Sequence, residues 1–76
     1  MSANNSDRYK LIGQTIRKYR TEKGYTQEEL ADRASISISY LTKIEAPNID
    51  KAFSLEVLFA ISDALGVPVS QFVEGI

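Results

Sequence analysis

The chain has 76 residues, enough for one domain around a single small core. Hydrophobic residues make up 43% and charged residues 25%, with four Gly and two Pro, the balance of a folded domain and not of a disordered tail. Cys and His are both absent, which excludes disulfides, zinc fingers, thiol chemistry and imidazole acid–base catalysis, and fits a reducing, cytoplasmic setting. No apolar run approaches the ~20 residues of a membrane helix.

The net charge is −1 and the sequence pI about 5.3, yet the charge is unevenly placed. Six bases (Arg8, Lys10, Arg17, Lys18, Arg20, Lys23) stand against Glu22 alone between positions 8 and 23, a balance of +5. From position 52 to the end there are three acids (Glu56, Asp63, Glu74) and no base. A basic front and an acidic back suit a polyanionic partner, though solvated helix faces carry similar charge.

Residues 1–6 are polar and read as a flexible tail, with a single domain over residues 7–76. The first helix is expected over residues 7–23, with Ile12, Ile16 and Tyr19 on one buried face and Leu11 beside them. Gly24 ends it. Thr26 and Glu29 have capping-box spacing and start a short second helix, whose Leu30, Ala31 and Ala34 face inward. Ser37 is a good N-cap for a third helix through Glu45, held by Ile36, Leu41 and Ile44. Pro47 disfavours a helical Ala46 and opens the longest loop. Ser54 caps a fourth helix with Leu55, Leu58, Ile61 and Leu65 at helical spacing, and Gly66 stops it. A last short turn follows Pro68 with Val69, Phe72 and Val73. The fold class is therefore all-α, a compact five-helix domain.

The informative unit is the pair of short helices over residues 27–34 and 37–45, joined by a tight turn. That spacing matches a helix-turn-helix, in which the second helix enters the major groove. No carboxylate pair, nucleophile, glycine-rich phosphate loop or metal-ligand set accompanies it, so neither an enzyme nor a metal or cofactor site is expected. Glu28, Glu29 and Asp32 are better explained by capping and solvation than as a carboxylate cluster. Tyr9, Tyr19 and Tyr25 read as packing residues, with Tyr40 nearer the exposed side.

Thr26-Gln27-Glu28-Glu29-Leu30-Ala31, followed by Ser39-Tyr40-Leu41-Thr42-Lys43-Ile44-Glu45 and Leu65-Gly66-Val67, resembles the Cro/repressor-like (XRE) helix-turn-helix family over residues 11–73. The resemblance implies a lambda-repressor-like DNA-binding domain that recognises double-stranded DNA as a homodimer on a palindromic operator. It places Ser37, Ile38, Ser39, Thr42 and Lys43 at base-reading positions of the third helix. Among these, Lys43 suits guanine N7 or O6, and Ile38 suits a thymine methyl. Gln27, Thr26, Arg17, Tyr40, Asn48 and Lys51 fall to the phosphates. Arg20 and Glu45 occupy the places of a structural ion pair. Phe72, Val73 and Ile76 are dimer candidates, with closure of the core as the alternative.

Two departures from the family pattern stand out. Ser35 occupies a turn position often held by Gly, where a left-handed backbone is strained for serine. Ala46-Pro47 replaces a frequent Arg-Gly and lengthens the loop. The expected function is a DNA-binding transcriptional repressor, complete as a short protein. The alternatives are a protein-interaction module of the same fold, such as an antitoxin-like partner, and the DNA-binding part of a longer, ligand-sensing regulator.

Overall fold

The computed structural model describes residues 5–76. Among them run five helices and no strand: α1 (Ser6–Glu22), α2 (Gln27–Ala34), α3 (Ile38–Glu45), α4 (Leu55–Leu65) and α5 (Ser70–Val73). Most of the expected tail, residues 1–4, lies outside the described residues. α1 begins at Ser6, one position before the expected start, with Asn5 at the N-cap position and its Oδ1 accepting from Arg8 at 3.3 Å.

Three helices start on a hydroxyl. Thr26 Oγ1 accepts the Glu29 N–H at 3.0 Å while Glu29 Oε1 accepts the Thr26 N–H at 2.8 Å, completing the capping box. Ser37 Oγ accepts from the Tyr40 amide at 3.0 Å, and Ser54 Oγ from the Val57 amide at 3.2 Å. Each satisfies an amide that the helix itself leaves unpaired. At the other ends, Gly24 and Gly66 take positive φ. α2 ends instead on Ser35, left-handed at φ 58° and ψ 40°, the single non-glycine residue with positive φ among those described. The turn into α3 therefore keeps the backbone that glycine would favour, at some conformational expense.

The core gathers one face from each helix. Ile12 and Ile16 of α1 meet Leu30, Ala31 and Ala34 of α2, Leu41 and Ile44 of α3, Leu58, Ile61 and Leu65 of α4, and Phe72 of α5. α2 packs chiefly on α4, and α1 on α3. The buried Ser62 is not an orphan, since its hydroxyl donates to the Val67 carbonyl just past the end of α4. Phe53, from the loop before α4, also joins the core, edge-on to Tyr9 with ring centroids 5.0 Å apart.

Two expectations need correction. Leu11 is 54% exposed, because it lies at the edge of the α1 stripe and no helix covers it. Phe72 is 1% exposed and packs edge-on against Tyr19, so its side chain closes the core and is not available to a second copy. Val73 and Ile76, by contrast, remain exposed, as do Leu55 and Phe59 on α4.

α1 and α3 approach closely because of one residue. At Gly13, inside α1, a Cβ would lie 2.0 Å from the carbonyl oxygen of Ile44 and 3.1 Å from its carbon. Only a residue without a side chain fits between the two backbones.

Candidate nucleic-acid interface

α3 is divided lengthwise by the 100° step of the helix. Leu41, Ile44 and Glu45 turn inward and are buried, whereas Ser39 and Lys43 turn outward and are exposed. One flank, toward the start of α2, carries Ile38 and Thr42. The opposite flank carries Tyr40, half-buried, on the side of the loop over residues 46–54.

The inner side is held by a polar network around Glu45, itself 2% exposed. The Arg20 guanidinium donates through Nε to Oε2 and through a second nitrogen to Oε1, both at 2.9 Å. Its third nitrogen donates to the Tyr25 carbonyl at 2.8 Å. Gln27 Nε2 donates to the same carboxylate at 3.1 Å, and Gln14 Nε2 donates to the Glu45 carbonyl at 2.8 Å. One buried carboxylate thus ties together the end of α1, the start of α2 and the end of α3. No buried side-chain nitrogen or oxygen among the described residues lacks a partner. A forked guanidinium–carboxylate pair fixes orientation more than it adds net stability.

Gln27 stands at the first position of α2, where helix amides and dipole favour an anion. Its oxygen accepts from the Thr42 hydroxyl at 3.3 Å, while that hydroxyl also lies 2.8 Å from the Ile38 carbonyl. Arg17, Thr26, Gln27, Thr42 and Pro47 line a shared cleft at this end of the molecule. Beside Thr26, the Glu29 carboxyl is held below its ordinary value of 4.5, chiefly by the Thr26 backbone N–H and then by the Thr26 side chain.

On the opposite flank the loop is tied back at three points. Lys51 Nζ sits 4.7 Å from the centre of the Tyr40 ring, Lys10 pairs with Asp50 at 3.0 Å, and Phe53 enters the core. Asn48 and Ile49 form the exposed tip between them. The structure thus brings Arg17, Thr26, Gln27 and Thr42 to one side of α3 and Tyr40 and Lys51 to the other. Ser37, Ser39 and Lys43 are exposed in between. Val73 and Ile76 are elsewhere, beside Leu55 and Arg8.

A family model described as helix-turn-helix matches residues 16–72, three quarters of the chain. The chain belongs to the helix-turn-helix family. Within it, the transcriptional regulator SinR of Bacillus subtilis is 41% identical over 64 residues, 84% of this chain and 57% of its own. The immunity repressor of Bacillus phage phi105 is 42% identical over 62 residues, 82% of this chain and 42% of its own. The chain spans about half the length of the curated relatives it matches. Among solved helix-turn-helix structures, SinR in complex with DNA superposes with a TM-score of 0.77 at 41% identity, covering 83% of this chain and 98% of that one. The restriction-modification controller C.AhdI of Aeromonas hydrophila gives a TM-score of 0.78 at 28% identity, over 84% and 94%.

Two residues that hold α3 escaped the sequence reading. Gly13 carried a signal, since a glycine inside a helical pattern points to close packing, but its partner Ile44 is distant in sequence. Gln14 carried none. Thr42 was legible as an outward residue, whereas the direction of its hydroxyl was not. Among the described residues there is no cluster of ligating side chains able to hold a metal, and no helix long and apolar enough to cross a membrane.

Proposed function

We propose that this chain is a sequence-specific regulator of transcription, a repressor, that binds double-stranded DNA. It acts in the cytoplasm, needs no cofactor, catalyses no reaction, and uses residues 7–76 as one reading domain. The observation that carries this is the lengthwise division of α3. Its inner side is locked by the Arg20–Glu45–Gln27 network, and its outer side presents Ser39 and Lys43 with no hydrogen-bond or ion-pair partner among the described residues.

In this reading α3 lies in the major groove. Gln27, Thr26 and Arg17 take phosphates on one side, while Tyr40, Asn48 and Lys51 take them on the other. Lys43 donates to guanine N7 or O6, Ser37 and Ser39 read permissively, and Ile38 and Thr42 meet the bases from the flank. A homodimer, with Val73 and Ile76 in its interface, sets two copies of α3 about 34 Å apart on a palindromic operator. Support for the interface comes from the exposure of these two side chains, and support for DNA binding from the likeness to SinR, whose structure is in complex with DNA.

A titration against DNA flanking the protein's own gene, at two salt concentrations and with random duplex as competitor, tests the proposal. Tight, competitor-resistant binding that weakens steeply with salt is the expected result. The absence of binding even at low salt would overturn it. That outcome would favour a protein-interaction module, a reading to which exposed Leu55, Phe59, Val73 and Ile76 on an acidic half lend some weight.

A further inference from the structure

We infer that the groove between the start of α1, the start of α4 and the end of α5 binds a small monocarboxylate with an apolar chain. No residue of α2 or α3 lines this groove, so it is separate from the DNA-facing surface proposed above.

The edge-on contact of Tyr9 with Phe53 brings the starts of α1 and α4 together. After α5 the chain turns at Gly75, φ 81°, and the Ile76 N–H donates to the Val73 carbonyl at 3.4 Å, which returns Ile76 to the same place. The groove so formed has a volume of about 400 Å³, within the range of small-molecule sites. Buried Ile12, Phe53 and Leu58 and exposed Leu55, Val73 and Ile76 supply its apolar surface, which suits a hydrocarbon chain.

The polar part of the lining is rich in donors. Arg8 is the single charged side chain there, and no carboxylate of the described residues pairs with it. One of its N–H groups donates to Asn5 Oδ1 at 3.3 Å, and the Asn5 amide nitrogen keeps its own hydrogens to donate. Ser54 Oγ accepts from the Val57 amide and can still donate its hydrogen. One guanidinium among neutral donors matches one anionic head made only of acceptors, and a carboxylate also fits the guanidinium fork. Val73 and Ile76 serve the interface between copies proposed above as well, so ligand and second copy compete for them. That consequence rests on the proposed interface; the site does not.

In the test, decanoate is titrated into the full chain below its micelle concentration and followed by NMR chemical shifts. Saturable changes are expected at Arg8, Phe53, Leu55 and Val73, with none in α3. Octanoate, shorter by two methylenes, should bind about tenfold more weakly. Arg8→Gln should weaken decanoate binding about tenfold, and Arg8→Lys should keep most of it. Arg8 is exposed, so both variants should fold, which the same spectra verify. Octanol, the neutral counterpart of octanoate, should bind the parent more weakly than octanoate does and should not distinguish the parent from Arg8→Gln. Changes that do not saturate, that spread equally over Leu11 and Phe59, or that survive Arg8→Gln undiminished would overturn the site. Sedimentation with and without decanoate reads the competition. A dimer that persists at saturating decanoate overturns the competition alone, whereas a chain that is monomeric throughout overturns the interface and leaves the site standing.

Discussion

Gly13 lies directly against the carbonyl of Ile44, so that the backbone of α1 touches the last turn of α3. α3 is thereby seated on the first helix at one point where no side chain fits. In an open helix, Gly→Ala is stabilising by about 0.5–1 kcal/mol. Here the added methyl would overlap a backbone oxygen, and the sign reverses. Gly13→Ala is expected to lose about 1–3 kcal/mol in urea denaturation. An unchanged or raised midpoint would show that α1 and α3 can separate freely.

Ser35 gives the opposite expectation. A left-handed non-glycine residue costs about 1–2 kcal/mol, while glycine returns part of that through its freer unfolded chain. Ser35→Gly should therefore raise stability by roughly 0.5 kcal/mol. Its DNA affinity should not change, since the turn geometry is retained. A lower denaturation midpoint would mean that the serine side chain contributes more than its backbone strain removes.

Arg20 and Glu45 form a buried pair, and breaking one side strands the other. Arg20→Met is expected to cost about 3–5 kcal/mol, with Arg20→Met/Glu45→Leu recovering much of the loss. The double variant should nonetheless bind DNA more weakly, because Gln27 loses the carboxylate that holds its amide. Thermal melts and a DNA titration on the same samples separate the two effects.

The capping box adds a pH dependence confined to acid. The Glu29 carboxyl titrates below its ordinary value of 4.5 in the folded chain, so it binds protons less readily than when unfolded. Its contribution is present above that ordinary value and is lost as pH falls through the folded value. Glu29→Gln should be less stable than the parent at neutral pH and should converge with it in acid. Parallel melts across that range would check the sign.

Lys43 and Lys51 should differ in kind. Lys43→Ala is expected to weaken operator binding by about 1–3 kcal/mol and to relax base preference at one position. Lys51→Ala should weaken operator and random duplex alike and lower the salt slope by about one. Equal losses on both DNAs for Lys43→Ala would assign that side chain to the backbone.

Much of this architecture was legible because it is set locally. Thr26, Ser37 and Ser54 announce helix starts through chemistry that needs only the next three residues. Gly66 and Pro47 mark ends in the same way. What stayed hidden depends on partners distant in sequence. Periodicity puts Leu11 near the apolar stripe of α1 but does not say that the stripe's edge is left uncovered. Phe72 looks superfluous until Tyr19 is brought against it, and Phe53 looks like loop until α1 closes over it. At the site, the Arg20–Glu45 pair was readable from the family pattern. The turning of Thr42 toward Gln27 was not, because the direction of a hydroxyl is decided by what surrounds it.

The division of α3 has a consequence for how such a domain can change over time. The contacts that keep α3 in place come from its inner side and from its two flanks, through Thr42 and Tyr40, while Ser39 and Lys43 make no hydrogen bond or ion pair among the described residues. Those two positions can be rewritten without renegotiating the fold. In the function proposed above, a new target site is thus a matter of one or two substitutions, made at no cost to the stability of the fold.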